Sequence, residues 1–497
     1  MAAEQKETFV VRRTKIVCTI GPATESLEMM EALIHAGMDV ARLNFSHGSL
    51  EEHGARIERL RFLEKKLGKP IGILVDIQGP KIRLGELAEE RPVLEKGERV
   101  YVTPDPSVKT AEDGRRVLPI IYPRLLEQIG PGQTIYLDDG LVELRVEAVD
   151  PAAGRALCAV VTGGELRSRK GVSLPEVDVD LPAIDGADEE HIRFAVEAGV
   201  DFVAASFVRR PEHVEAVREV IRAAGGTQQV IAKIESREGV RNLDAILEVA
   251  DGIMVARGDM GVELPSEEVP LVQKELIAKG NRLGKPVITA TQMLDSMARN
   301  PRPTRAEVTD VANAIFDGTD AVMLSGETAV GHYPVEAVQM MDRIARKSEE
   351  ALDYGKWLDR HRTGGSRTVA EAIARATCES AADLHVKAIL CSTQSGATAR
   401  LVSKYRPHSP IIAATPNTHV VRQLSLVWGV RPILVPRARG IDEMISFSIR
   451  EAKGLGLVAD GDRVAIAAAV LTGTPGSTNL LQIHVVGEEQ LRAHVSP

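Results

Sequence analysis

The sequence predicts an α/β protein built on a closed (β/α)8 barrel of the TIM type, with an inserted all-β lid domain and a C-terminal α/β domain. Three observations carry that expectation. The chain has 497 residues, too many for one core and suited to about three domains at ~150 residues each. Short aliphatic runs alternate with helix-period segments eight times, the rhythm of a parallel barrel. One long break in that rhythm has the texture of hairpins.

The elements follow in order. Strands are expected at 15–20, 39–44 and 71–76, with helices at 27–36 and 50–66 between them. After the break, strands at 201–206, 229–234, 252–256, 286–289 and 321–324 alternate with helices at 189–198, 211–223, 243–249, 267–283, 305–316 and 335–352. An open doubly wound sheet is the rival arrangement, and a count of eight disfavours it. The barrel is assigned 1–83 and 183–355. The break, 84–182, holds alternating runs at 99–103, 134–137, 141–148 and 156–161, punctuated by Asp-Gly, Gly-Gly and Pro, which reads as an all-β insertion. It leaves after the third strand, at the face where active sites sit in such barrels, so a hinged lid that excludes water is expected. A polar stretch, 359–366, leads to a third region, 366–497. There helix and strand alternate again at 369–384, 388–392, 399–404, 411–414, 442–453, 463–469 and 480–486.

Composition excludes several classes. Net charge is −9 with no basic block, which argues against nucleic acid as a main partner. No apolar run reaches the ~18–20 residues of a membrane helix, so no membrane partner is expected. The N-terminal residues are polar and lack a signal-peptide core. Cys18, Cys158, Cys378 and Cys391 show no paired spacing, as expected of reduced thiols in a cytoplasmic protein.

Lys233 and Glu235 stand two apart in an apolar strand, so they share one face. Asp259 follows the next strand past a glycine turn. Two carboxylates on adjacent strand ends beside a lysine suit a magnesium ion and a phosphate-bearing substrate. A buried Lys–Glu pair that satisfies itself is the plain alternative. Arg42, Asn44 and Ser46 alternate along the second strand, and arginine's planar fork suits phosphate oxygens. Asp76, Gln78, Lys81 and Arg83 crowd the end of the third strand around a Gly-Pro turn. Thr289, Thr291 and Ser325 put hydroxyls at two further strand ends, where they fit an oxyanion or a proton-relay water or simply cap helices. Ser392-Thr393-Gln394-Ser395-Gly396-Ala397-Thr398 lies between a strand and a helix and makes an anion site of amides and hydroxyls.

Taken together these segments resemble the pyruvate kinase family, and the likeness runs along the entire chain. It rests on Arg-Leu-Asn-Phe-Ser-His-Gly at 42–48, Gln-Gly-Pro-Lys-Ile-Arg at 78–83, Ala-Lys-Ile-Glu at 232–235, Ala-Arg-Gly-Asp-Met-Gly at 256–261, Thr-Ala-Thr-Gln-Met-Leu at 289–294 and Met-Leu-Ser-Gly-Glu-Thr at 323–328. The resemblance implies the glycolytic transfer of a phosphoryl group from phosphoenolpyruvate to ADP, giving pyruvate and ATP. It implies Mg²⁺, replaceable by Mn²⁺, held by Glu235 and Asp259. It implies Lys233, Arg42, Arg83, Thr291 and Ser325 as catalytic residues, with substrate held by Arg42, Lys233, Gly258, Asp259 and Thr291. Nucleotide contacts fall on Asn44, His47, Arg83 and Lys170. The proton that completes pyruvate would come through water near Thr291 and Ser325. Relatives that require K⁺ bind it with groups matching Asn44, Ser46, Asp76 and the carbonyl of Ile77, and many have a glutamate where this chain has Lys81. A tethered ammonium near that pocket is expected to replace the ion, so that K⁺ is not required.

The loop of Ser392, Thr393, Gln394, Ser395, Gly396 and Thr398 resembles the family's effector phosphate loop, flanked by 473–479. Met444 falls near the place of the arginine that holds a second phosphate in some relatives, which favours a sugar monophosphate or AMP over a bisphosphate. A homotetramer is implied, and the extra phosphohistidine-type domain of some bacterial relatives is not expected. A magnesium-dependent lyase on a similar barrel and a catalytically inert metabolite sensor are the rival functions. Release of pyruvate that depends on ADP separates both from a kinase.

Overall fold

The computed structural model describes residues 12–360, 368–469 and 478–488. Eight parallel strands close a barrel: β1 (Lys15–Thr19), β2 (Val40–Asn44), β3 (Gly72–Asp76), β4 (Phe202–Ala205), β5 (Gln229–Ile234), β6 (Gly252–Ala256), β7 (Val287–Ala290) and β8 (Ala321–Leu324). Closure is made by β1, which sets Lys15 opposite Ala321 of β8 and Val17 opposite Val40 of β2. Alternate residues of each strand serve two cores. Cys18, Leu43, Ile73 and Val75 pack outward beneath the helices. Val17, Val40, Leu74, Phe202, Ile231 and Met254 fill the interior. Burial on both faces is why these strands read as unbroken aliphatic runs rather than as alternations.

The helices begin where the chain supplies caps. Ser49 and Thr304 each accept a backbone N–H three residues on, and Glu52 and Glu307 return the bond, boxes worth about 1 kcal/mol apiece. Gly68 and Gly318 end these helices in the left-handed conformation, which only glycine adopts without strain. The helix expected at 189–198 starts earlier, at Gly186, because Asp185 is its cap.

Between β3 and β4 the chain folds into a six-stranded sheet, in the order Val172–Ser173, Thr134–Leu137, Val142–Asp150, Arg155–Thr162, Arg99–Thr103 and Val117–Pro119. Its own core holds Val100, Ile120, Leu144, Val160 and Leu166. The three-residue strand at Val117 was too short to show as an alternation. The C-terminal sheet runs Val430–Leu434, Ile411–Thr415, Ala388–Ser392, Arg463–Ala468 and Leu480–Val485, the last antiparallel. Strand Val430–Leu434 escapes the sequence reading because Pro432 sits in its middle; it is an edge strand, where a missing N–H is tolerated. The expected linker falls partly, at 361–366, outside the described residues, and so does most of the loop expected at 473–479. Leu426, from a turn of the C-terminal domain, plugs the barrel interior at its floor. Among the described residues no helix is long and apolar enough to cross a membrane.

Candidate active site

At the C-terminal mouth of the barrel, strands β2, β3 and β5 bring their charges together. The Lys233 Nζ donates to Asp76 Oδ1 at 3.0 Å and to Ser206 Oγ at 2.6 Å, and lies 3.2 Å from Glu235 Oε1. Arg42 grips the other oxygen of Asp76 through Nε and Nη2, each at 2.8 Å, and donates to Thr19 Oγ1 at 3.0 Å. The second oxygen of Glu235 accepts the Phe207 N–H at 2.7 Å. The Asp76 and Glu235 side chains are only 2% and 1% exposed.

Burial sets these groups apart electrostatically. It works to raise the Asp76 carboxyl, but Lys233 and Arg42 outweigh it and hold Asp76 below the ordinary carboxylate range. Glu235 goes the other way: burial raises it, the charge of Asp259 adds to that, and Lys233 only partly opposes. Burial would lower Lys233, yet Asp76 and Glu235 together hold it above its usual value, so it stays cationic. The two carboxylates expected to hold a metal therefore feel one another across the mouth. Asp259 is the more open of them, its side chain 38% exposed. Among the described residues no group of three or more His, Cys, Asp or Glu side chains converges. Glu235 and Asp259 could supply two carboxylate donors, a hard-oxygen set that suits Mg²⁺.

The Gly258 N–H donates to Thr291 Oγ1 at 2.9 Å, and that hydroxyl donates to the Ala290 carbonyl at 2.7 Å. The structure thus brings together the amide and hydroxyl expected to face a substrate carboxylate. Thr291 and Gln292 both have left-handed backbones, φ 69° and 54°, a conformation that costs a non-glycine residue of order 1 kcal/mol and recurs at functional sites. Arg257 pins that turn by donating to the carbonyls of Ala290 and Thr291, and is anchored by Asp310 at 2.7 Å. Ser325 lies at the end of β8 with its Oγ buried and without a partner. Its N–H donates to Glu327 Oε2 at 2.7 Å, while Glu327 Oε1 takes the Leu294 N–H at 3.0 Å, which ties the β7 and β8 loops together.

The nucleotide candidates lie farther out. Ser46 and His47 are exposed, with Asn44 half-buried and its Oδ1 accepting the Ser46 N–H at 3.2 Å. Arg83 donates to the Arg169 carbonyl at 3.1 Å, and Lys170 pairs with Asp138 at 2.8 Å on the lid. In the C-terminal domain the Gly396 N–H donates to Thr393 Oγ1 at 2.8 Å, Asn417 donates to the Gln394 carbonyl at 2.8 Å, and the hydroxyls of Thr398 and Thr478 meet at 2.7 Å. Ser392 and Ser395 are half-buried in that loop.

Lys81 departs from expectation. Its ammonium is bound to Asp259 Oδ1 at 3.0 Å and to Asp139 Oδ1 at 3.1 Å, not to Asp76, Asn44 or Ser46. The reason is the turn before it. Gly79 is left-handed, φ +66°, and packs on Ser206 so closely that a side chain would collide. Pro80 then leads Lys81 away toward the lid. The place beside Asp76 is filled by Arg42 and Lys233, and the Ile77 carbonyl takes the Ser206 hydroxyl at 2.7 Å. Ser206 and the Phe207 amide were missed in the sequence. A lone serine and an N–H leave no pattern there, although Ser206 ends a strand next to the Lys233 strand.

Comparison with known proteins agrees with this geometry. The family profile described as "Pyruvate kinase, barrel domain" matches residues 11–338, and "Pyruvate kinase, alpha/beta domain" matches 371–484. Pyruvate kinases of Staphylococcus epidermidis strain ATCC 35984 and Staphylococcus aureus strain MRSA252 are each 51% identical over 479 residues, covering 96% of this chain and 81% of the relative. That of Staphylococcus haemolyticus is 51% identical over 480 residues with the same coverage. These matches make the chain a phosphotransferase built on a (β/α)8 barrel with an inserted sheet domain. Within that class, the chain belongs to the pyruvate kinase family. Its substrates are accordingly phosphoenolpyruvate and ADP and its product pyruvate, and the lyase and sensor readings are set aside.

Proposed function

We propose that the charged cluster at the mouth is the phosphoryl-transfer site and that each of its side chains has a distinct task. The observation that supports this best is Lys233, held between Asp76 and Glu235 on the floor of the mouth. Phosphoryl transfer asks the protein for alignment and charge neutralisation rather than covalent chemistry. Lys233 lies beside the migrating phosphoryl group and stabilises the enolate oxygen it leaves. Arg42 and Arg83 hold phosphoryl oxygens. Gly258 and Thr291 turn from each other to the substrate carboxylate. The bond between phosphorus and the enol oxygen breaks as one forms to the terminal oxygen of ADP, and the enolate then takes a proton at its methylene carbon. Ser325, with an unused buried hydroxyl, holds the water that delivers it. Glu235 and Asp259 would hold Mg²⁺ or Mn²⁺, which would supply charge neutralisation to the bound substrate. Asn44, His47 and Lys170 meet the nucleotide when the lid, taken as 84–182, closes over the barrel at 1–83 and 183–355.

The reading extends to three finer points. K⁺ is not required, because Lys81 already brings a fixed cation to the mouth; its support is charge balance at close range, not a tether into the Asp76 pocket. The C-terminal region, 366–497, binds a sugar monophosphate or AMP at the Ser392–Thr398 loop, supported by its cluster of amides and hydroxyls. The chain works as a cytoplasmic homotetramer. The test is pyruvate release coupled to lactate dehydrogenase, run with ADP present or omitted, with Mg²⁺ or chelator, in tetramethylammonium with or without K⁺, and with a sugar monophosphate or AMP added. Activity without ADP would defeat the catalytic assignment. Strong K⁺ activation would defeat the role of Lys81, and flat responses to both effectors would defeat the regulatory one.

A further inference from the structure

The turn that follows β2 carries two nucleotide candidates, Asn44 at the strand end and His47 beyond it. Ser46, His47 and Gly48 are all exposed. The bonds within the turn are local: the Ser46 N–H donates to Asn44 Oδ1 at 3.2 Å and the His47 N–H to the Asn44 carbonyl at 3.3 Å. Gly48 then turns left-handed, φ +85°, over the start of the helix Leu50–Leu67, where a Cβ would lie 2.8 Å from Glu52 Oε2. Glycine gives such a turn many conformations, and an exposed turn held by local bonds alone opens readily.

His53 restrains it from below. This residue is 2% exposed in the first turns of that helix. Its Nε2 lies 2.8 Å from the His47 carbonyl oxygen, and its Nδ1 lies 3.4 Å from Arg56 Nη1. A guanidinium only donates, so Nδ1 is the bare nitrogen and Nε2 carries the hydrogen. Burial holds the ring below the ordinary histidine range, with Arg56 and His191 adding to it against the His47 carbonyl and Glu52. The ring is therefore neutral and donates to His47. Glu25 aims Arg56 by accepting from its Nη2 at 2.7 Å and its Nε at 3.2 Å. Phe45, buried at the root of the turn, stacks on the imidazole with centroids 4.3 Å apart and planes 23° from parallel, and His191 meets Phe45 edge-on at 5.3 Å. A stack on one face and a contact at each nitrogen fix the imidazole. In an exposed turn water would serve the His47 carbonyl as well, so what the buried donor adds is a defined place for that carbonyl.

We propose that His53 is a positioning residue for the nucleotide: by holding the His47 carbonyl it presents Asn44 and His47 in the arrangement that meets ADP. The proposal rests on the reading that Asn44 and His47 contact the nucleotide. His53 acts through His47 and not by touching ADP. A relay from Glu25 through Arg56 and His53 orders the turn before ADP arrives, so that binding does not have to supply the ordering.

The test is steady-state kinetics of the full-length enzyme at fixed Mg²⁺ and K⁺. His53→Phe keeps the stack on Phe45 and removes the donor. The expected result is a KM for ADP raised about fivefold, the scale of one hydrogen bond, with kcat and the KM for phosphoenolpyruvate within about twofold of native. His53→Gln, whose amide N–H replaces the ring donor, should return the KM for ADP to within about twofold of native. An unchanged KM for ADP in His53→Phe, an equal rise for both substrates, a fall in kcat alone, or a Gln variant no better than the Phe variant overturns the inference. Asn44→Ala and His47→Ala separate it from the reading beneath it. If neither moves the KM for ADP, the nucleotide contacts themselves fail and the inference with them; a rise there beside none in His53→Phe defeats the positioning role alone. Should His53→Phe not fold, Arg56→Met, which frees the ring to take the other tautomer, is expected to raise the same KM about twofold to threefold, and no change there is equally fatal.

Discussion

The two ends of the barrel are both rich in buried charge, and they use it differently. At the floor the strong charges hold pieces together. Arg406, 3% exposed at its side chain, pairs with Asp320 at 3.0 Å and donates to Asn281 and Gly318, which locks the C-terminal domain to the barrel. Asp320 also takes the Trp428 N–H and, through its other oxygen, the Val287 N–H. At the mouth the charges are paired but left incomplete. Asp259 is open, Ser325 Oγ is unpartnered, and Lys233 touches three groups that a substrate phosphate can compete with. On the proposed reading, charge at the floor is structural and charge at the mouth is chemical, the division of labour expected of such barrels. Substitutions at the two ends should therefore separate activity from stability.

The largest expected effect is at the mouth. Lys233→Met should lower kcat by at least about a thousandfold, roughly 4 kcal/mol of lost transition-state stabilisation, while the melting temperature stays near that of the native enzyme. The coupled assay and calorimetry on one preparation check both halves. Unfolding in step with the loss of activity would mean that the mouth, like the floor, is structural.

The converse experiment comes next. Arg406→Met strands Asp320 at the floor and should cost about 3–5 kcal/mol of stability, read by urea unfolding, with kcat of the folded fraction unchanged at 25 °C. A kcat that falls with it would show that the two ends are coupled.

A third prediction concerns pH. Asp201 is buried at the start of β4, paired with Arg61 at 2.7 Å, and accepts the Ile73 N–H at 2.8 Å. Burial, partly opposed by Arg61, raises its carboxyl from 3.8 to about 6. The folded state thus holds this proton more tightly than the unfolded chain does. Its contribution favours folding below about pH 4 and is lost as pH rises toward 6, a swing of order 3 kcal/mol. Asp201→Asn should flatten the slope of stability between pH 4 and 6, measured as midpoints of urea unfolding at several pH values. Parallel slopes in the two proteins would remove Asp201 as the cause.

These contrasts also show what the sequence could reveal. Barrel strands were legible because double burial enforces aliphatic runs, and Lys233 and Glu235 stood out as charges inside one. Arg42 stood out by alternation on β2, and Asp76 by its place at the end of β3 before a Gly-Pro turn. What stayed hidden depends on three-dimensional neighbours. Ser206 becomes important only because β4 lies beside β5. Arg406 locks the floor across 86 residues of chain. Lys81 was misplaced because one left-handed glycine redirects it, and no periodicity reports the sign of φ.

The smallest effect belongs to the lid, where pairs are exposed and replaceable. Lys170 meets Asp138 at 2.8 Å with its side chain 42% exposed, so the pair itself contributes well under 1 kcal/mol. On the proposed reading its weight is felt only when the lid comes down on a charged nucleotide. Lys170→Ala should then raise the KM for ADP about threefold and leave the KM for phosphoenolpyruvate unchanged, because the latter is held by the barrel alone. High salt should shrink the difference, since exposed charges are screened within ~10 Å at 0.1 M. Steady-state kinetics at two ionic strengths decide the matter. An equal rise for both substrates would place Lys170 with the rigid mouth, and the distinction between prebuilt barrel charges and adjustable lid charges would fail at that residue.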